Sequence, residues 1–182
     1  KCSILEKLCV NVINDDFQFA IPSVCLRLRS LKVRLHRLMH TFCASVATHC
    51  ISVVNLDLQG CSCLQDDDVH TLAVHLHSLC ALDLRCCMYL TDRSLQHLGD
   101  HRANTLQLLL IGSNPHIKHE QMLSLVHKCQ QYNNNLQLRC IQNFCHTNRD
   151  LLNLPAWSAD ETTVVFTKTA LHDQFVHNVV LH

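Results

Sequence analysis

The feature that most constrains this chain is the apolar spacing L-x-x-L-x-L, which recurs along most of its length. The copies start at residues 5, 28, 53, 79, 106 and 133, so successive starts lie 23, 25, 26, 27 and 27 residues apart. Alternating apolar residues predict a short strand with one buried face. A pattern that returns at a fixed period predicts stacked structural units, each of which buries its apolar face against the next.

The second half of each unit repeats as well, after Cys61, Cys87 and Asn114. One apolar residue follows three positions later, and two more follow that are three residues apart from each other. These residues are Leu64, Val69 and Leu72; Leu90, Leu95 and Leu98; and Ile117, Met122 and Leu125. Because residues three apart share a helix face, each unit is predicted to be a strand, a turn and a helix. Asp92 is predicted to be the N-cap of one helix, and Asp66 or Asp67 the N-cap of the preceding one.

The pattern resembles the cysteine-containing subclass of leucine-rich repeats, with the consensus C-x-x-L-x-x-L-x-L-x-x-C-x-x-L-T-D-x-x-L-x-x-L. The best copy matches from Leu79 to Leu98 and includes Cys87, Thr91 and Asp92. The resemblance covers roughly residues 5–154. It implies an α/β leucine-rich-repeat solenoid, a horseshoe with parallel strands on its concave face and helices on its convex face.

Two segments are expected along the chain. Residues 1–154 are predicted to form the solenoid, and residues 155–182 a C-terminal cap or tail. Pro155 ends the last helical pattern, and "TTVVF" has β-strand composition. Lys1 is not an initiator methionine, so we expect the sequence to start inside a longer chain or after processing.

The abundant cysteines and histidines raise the question of a metal site, since the chain has 13 Cys and 15 His. Cys61 and Cys87 occupy the same repeat position, and Asn114 takes it in the next unit. We predict that these side chains point inward and bind loop backbone, through a weak S–H donor or an amide. The zinc-ribbon spacing and the H-E-x-x-H motif are missing, and His97 is predicted on a solvated helix face, so no metal is expected.

Composition argues against several classes of function. Lys plus Arg equals Asp plus Glu at 15 each, which gives no general attraction to nucleic acid or membrane surfaces. No apolar run approaches the roughly 18 residues of a membrane span. With only three glycines and no nucleophile or phosphate-binding motif, we expect no enzyme activity, no cofactor and no small-molecule substrate. The expected location is intracellular and cytoplasmic, with a mitochondrial or axonemal assembly also possible.

Function is predicted on the sheet face opposite the core, where the residues between the core positions point. The predicted partner contacts on this face are Lys32, Arg34, Asp57, Asp83, Arg85, Leu108, Leu110, Gln137 and Arg139. Leu108 and Leu110 are expected to form an exposed apolar patch, which either binds a partner or is covered by the tail.

The resemblance also implies a function. In F-box/LRR proteins the solenoid binds a substrate, and an F-box transfers it to a cullin–RING ubiquitin ligase. We therefore expect a non-catalytic protein–protein interaction module, with another protein as its partner. The alternative is a structural subunit of a large axonemal or mitochondrial assembly, where similar repeats act as clamps.

Overall fold

The computed structural model describes residues 6–11, 27–34, 39–132, 136–141 and 163–166. The strands within these residues are β1 Lys7–Asn11, β2 Ser30–Arg34, β3 Asn55–Asp57, β4 Ala81–Asp83, β5 Leu108–Ile111, β6 Gln137–Ile141 and β7 Thr163–Phe166. The helices are α1 Met39–His49, α2 Asp66–His75, α3 Asp92–Arg102 and α4 His119–Gln131. None of these described helices is both long and apolar enough to cross a bilayer.

The strands form one sheet in the order in which they occur in the chain. β1 to β6 are parallel, and β7 runs antiparallel to β6. Each of the four helices contacts the next, so they form a layer in the same order as the strands. Parallel strands joined by helices make this an α/β fold, as the repeat pattern predicted.

The core lies between the sheet and the helices. Leu31, Leu56, Leu82, Leu109 and Leu138, which face it from consecutive strands, are at most 1% exposed. The predicted helix stripes are buried too: Val69 and Leu72, Leu95 and Leu98, and Met122 and Leu125. Burial of one leucine side chain contributes about 1.5–3 kcal/mol, so the apolar period is the main source of stability in each unit.

The last parallel strand is shifted by two residues from the predicted register. The repeat pattern aligned Leu136 with Leu109, a step of 27 residues, but the structure pairs Leu109 with Leu138, a step of 29. Leu136 and Leu138 are both apolar and two residues apart, so either register buries a leucine. Because side chains alternate with a period of two, the shift leaves each side chain on its predicted face.

The aspartates predicted to cap helices instead connect consecutive units. Thr91, with extended backbone, is the N-cap of α3. Asp92 accepts a hydrogen bond from the backbone N–H of Lys118 in the next unit at 2.7 Å. Asp66 accepts from the backbone N–H of Thr91 at 2.9 Å, from its hydroxyl at 2.6 Å and from the buried hydroxyl of Ser94. The N-cap predictions for Asp66 and Asp92 are therefore wrong, because both carboxylates point toward the following unit.

Helix α2 also begins differently from the prediction. Its N-cap is Gln65, whose backbone N–H donates to the Asp68 carboxylate at 3.0 Å. The same carboxylate lies 3.1 Å from His40 Nδ1 in the preceding unit. Asp67, the other predicted cap, is exposed within the first turn of the helix.

The residues at the cysteine position of the repeat bind the backbone of the preceding unit, as predicted. Cys61 Sγ donates to the Val33 carbonyl at 3.5 Å, Cys87 Sγ to the Leu58 carbonyl at 3.2 Å, and Asn114 Nδ2 to the Leu84 carbonyl at 2.9 Å. Burial raises the pKa of the Cys87 thiol well above its ordinary value of 9.0. The thiol therefore keeps its proton near neutral pH and can act as the donor.

A left-handed residue precedes each of these inward side chains. Gly60, Cys86 and Ser113 occupy one repeat position and have φ angles of 74°, 58° and 55°. Only glycine adopts this conformation without a steric penalty. The same turn recurs in three units although only one of them has a glycine there. The other two units therefore keep the turn, and the inward-pointing donor of the next residue, despite backbone strain.

The predicted strand in "TTVVF" is present as β7, but its direction is antiparallel to β6. A further repeat would add a parallel strand, so β7 does not continue the series. The predicted boundary between residues 154 and 155 lies outside the described residues.

Candidate partner-binding surface

The sheet face opposite the core carries rows of polar side chains, and we call it the polar face. Its middle row consists of Lys32, Asp57, Asp83, Leu110 and Arg139, which the strand register aligns. The neighbouring row, two residues earlier along each strand, ends with Leu108 and Gln137. The row two residues later contains Arg34, Gln59 and Arg85. The nine residues predicted from sequence therefore all occupy backbone positions on this face.

Asp57 is the centre of the first charge cluster. Arg34 donates to its two carboxylate oxygens at 2.7 and 3.3 Å, and Lys32 Nζ lies 3.5 Å away. The backbone N–H of Gln59 also donates to this carboxylate, at 3.1 Å. Two cations and a backbone donor compensate for the burial of Asp57, which is 4% exposed.

Asp83 and Arg85 form the second cluster, one strand further along. Arg85 Nε donates at 3.0 and 3.1 Å, and its Nη2 donates at 2.6 Å, to the two oxygens of the carboxylate. The backbone N–H of Arg85 donates to it as well, at 3.0 Å. Asp57 makes the same contact with the backbone N–H of Gln59. Both strands therefore end in a turn in which an aspartate accepts from the N–H two residues later.

The Asp83–Arg85 pair is ionised at neutral pH. Burial raises the pKa of Asp83, and hydrogen bonds from Arg85 oppose that rise. Burial lowers the pKa of Arg85, but the hydrogen bonds and charge of Asp83 outweigh it and raise the pKa overall. Both pKa values are therefore raised, which favours the neutral form of Asp83 but the charged form of Arg85. We favour the ion pair, because both oxygens of Asp83 accept hydrogen bonds from Arg85, as a carboxylate does.

Gln59 joins the two clusters. Its Oε1 accepts from Arg34 at 2.9 Å and from Arg85 at 3.4 Å. The amide thus separates two guanidinium groups that would otherwise repel each other. The network runs without a break from β2 to the end of β4.

Leu110 is only 5% exposed, so the prediction that it forms an exposed apolar patch is wrong. The alternative prediction, that the tail covers it, is not tested by the described residues. Asp57 and Asp83 in the same row are 4% and 0% exposed, so the middle of this row is buried as a whole. Leu108 is partly buried. Leu110 can serve as a contact only if its neighbours move, and it is better described as part of the packing of the sheet.

The accessible part of the polar face lies toward its two ends. The side chains of Lys32 and Arg34 are 28% and 12% exposed, and Gln137 is exposed. The Arg139 side chain lies outside what the structure describes. A partner approaching this face would meet Lys32 and Gln137 before the buried ion pairs.

Sequence reasoning missed an exposed apolar pair beside this face. Met88 and Tyr89 follow Cys87 in the loop after β4 and are 40% and 64% exposed. Equivalent positions in adjacent units hold Ser62 and Cys63, or Pro115 and His116. The sequence did contain a signal, because the other units have small or polar residues at the positions where this unit has two large apolar ones.

One histidine, His97, does not lie where the sequence placed it. His97 was predicted on a solvated face, but its ring is half-buried and lies 4.5 Å, centroid to centroid, from that of His70. Within the described ranges, no group of three His, Cys, Asp or Glu side chains is arranged to hold a metal ion.

Comparison with known proteins adds no assignment: no protein-family model and no curated protein sequence matches this chain.

Proposed function

We propose that this chain is a non-catalytic protein–protein interaction module, a leucine-rich-repeat solenoid of the F-box/LRR type whose polar face binds a substrate or partner protein. The observation that carries the proposal is the continuous network of Arg34, Asp57, Gln59, Asp83 and Arg85 on one sheet face. The network fixes the positions of the partly exposed Lys32 and Arg34 side chains, and accessible charges at an interface contribute specificity and rapid association.

The solenoid part of the proposal is supported by contacts that recur at the repeat period. The cysteine-position donors, the left-handed turns and the aspartate links each recur from one unit to the next. A sheet in which every strand neighbours the next one in sequence is what stacked strand–helix units produce.

The buried thiols support an intracellular location. Cys61 and Cys87 use their S–H groups as donors to buried carbonyls, and oxidation to disulfides would remove both bonds. A reducing compartment preserves these contacts.

The test is quantitative affinity purification with matched variants. Lys32→Gln removes one accessible charge from the polar face, and Gln96→Glu on the exposed side of α3 changes the net charge by the same amount. We expect Lys32→Gln to reduce the recovery of the main specific partner about threefold, and this loss to shrink at high salt, because screening weakens exposed charge contacts. Gln96→Glu should leave recovery unchanged.

His97, the helix-side position suggested by sequence, is unsuitable as a control because it packs against His70. Equal recovery by both variants would exclude the accessible end of the polar face as the site. Failure of the wild-type chain to retain any protein specifically would contradict the interaction module itself. A stoichiometric association with one large particle, by contrast, would favour the structural-subunit alternative.

A further inference from the structure

Three histidines meet where helices α2 and α3 pack together. The ring of His70 from α2 lies 4.5 Å from that of His97 and 5.3 Å from that of His101, centroid to centroid. His97 and His101 are four residues apart and share one face of α3. The seam between two neighbouring helices is therefore lined by imidazoles from both sides.

The surroundings of His97 disfavour its protonated form. Its Nε2 atom is buried and has no hydrogen-bond partner among the described residues. On its own helix, Arg93 adds positive charge nearby, and across the seam a protonated His70 would do the same. A proton on His97 would therefore bring a buried charge against other cations.

The carboxylates close enough to compensate are already engaged. Asp66 of α2 accepts hydrogen bonds from Thr91 and Ser94, and Asp100 of α3 is bound by the ammonium group of Lys128 from α4.

The exposed Asp67 of α2 lies 3.9 Å from Arg93. The charged and titratable groups that surround His97 from α2, α3 and α4 are thus largely paired with each other, and no strong acceptor is left for its buried nitrogen.

We propose that the α2–α3 seam is a pH-sensitive element: as the pH falls from about 7.5 to about 5, protonation of His97, in its cluster with His70 and His101, loosens the packing of α2 against α3. The released seam adjoins the Asp66 link to the next unit, so the response would be transmitted along the stack.

The direction follows from proton linkage. Burial lowers the pKa of His97 below its ordinary value of 6.5, and His70 and Arg93 add to this, while Asp66 and Asp100 oppose it. The unfolded or opened chain therefore binds the proton first as the pH falls. Stability contributed by neutral His97 is present at pH 7.5 and is lost as the pH falls through about 6.5 toward the folded-state pKa.

Hydrogen exchange of the α2 and α3 backbone amides in the full chain, with EDTA present, tests the proposal. After correction for intrinsic exchange rates, the opening constant of these amides should rise about fourfold between pH 7.5 and pH 5. Fourfold is the factor that corresponds to repulsion between two unit charges about 5 Å apart in water. In His97→Gln and in His70→Gln the rise should be less than about twofold.

The matched control is His75→Gln, because His75 also lies on α2 but its Nδ1 is 2.8 Å from the Thr71 carbonyl of its own helix. It should keep the wild-type response. The proposal is overturned if both seam variants respond like the wild type, or if His75→Gln flattens the response equally. Should the seam variants not fold, an NMR titration of the wild type decides: a His97 pKa at or above about 6.5 rejects the proposal, and a lower one supports it.

Discussion

Asn114 holds three buried backbone groups together, and Asn114→Ala should destabilise the chain strongly. Its Nδ2 donates to the carbonyls of Leu84 and Cys87, each at 2.9 Å, and its Oδ1 accepts from the Gly112 N–H at 2.8 Å. The residue is 8% exposed, so water cannot readily replace the amide. An unsatisfied buried polar group costs about 1–3 kcal/mol, so the loss of three bonds should lower the free energy of unfolding by about 3 kcal/mol or more.

Equilibrium urea denaturation followed by circular dichroism measures this loss. Asn114→Cys should cost less than Asn114→Ala, because its thiol can donate to the Leu84 carbonyl as Cys87 does to that of Leu58. His116→Ala, at an exposed position two residues away, should stay within about 0.5 kcal/mol of the wild type. The reasoning is refuted if Asn114→Ala lies within about 1 kcal/mol of the wild type, or if Asn114→Cys costs as much as the alanine variant.

The same denaturation assay checks three further predictions. Leu84→Ala should cost about 2–5 kcal/mol through transfer and cavity terms, and Cys87→Ser should cost less because a hydroxyl keeps the bond; the reverse order would mean that the assigned register is wrong. Gly60→Ala should cost about 1 kcal/mol from its left-handed conformation alone, since an added Cβ meets nothing within 4 Å. Ser113→Gly should be neutral or stabilise by up to about 0.5 kcal/mol, because relief of strain at a positive φ exceeds the extra freedom of the unfolded chain; clear destabilisation would contradict the strain argument.

The apolar period was sufficient to predict the strands, the helices and the inward cysteine row. These features depend on which side of an element each residue lies, and spacing alone determines that. The register of β6 was not predictable in this way, because Leu136 and Leu138 satisfy the same alternation. The apolar pattern determines which face of the sheet a residue lies on, but not which residue it pairs with on the next strand.

The candidate site was predicted less well than the fold. Spacing correctly located Asp57, Asp83 and Leu110 on one sheet face, but it could not show how deeply they are buried there. Burial on a sheet face depends on side chains of the adjacent units, 26 or 27 residues away in sequence. The same limit applies to His70 and His97, whose contact across two helices is invisible to a pattern read along one helix.

The contact between a cysteine-position donor and the preceding unit also bears on how such a chain can change length. Cys61 and Cys87 donate to equivalent carbonyls, so either would fit the other's acceptor. If residues 61–86 were duplicated in tandem, the inserted cysteine would find the Leu58 carbonyl, and Cys87 would find that of Leu84. Insertion of a whole repeat unit therefore needs no new type of contact where the units meet. The number of units determines the width of the polar face.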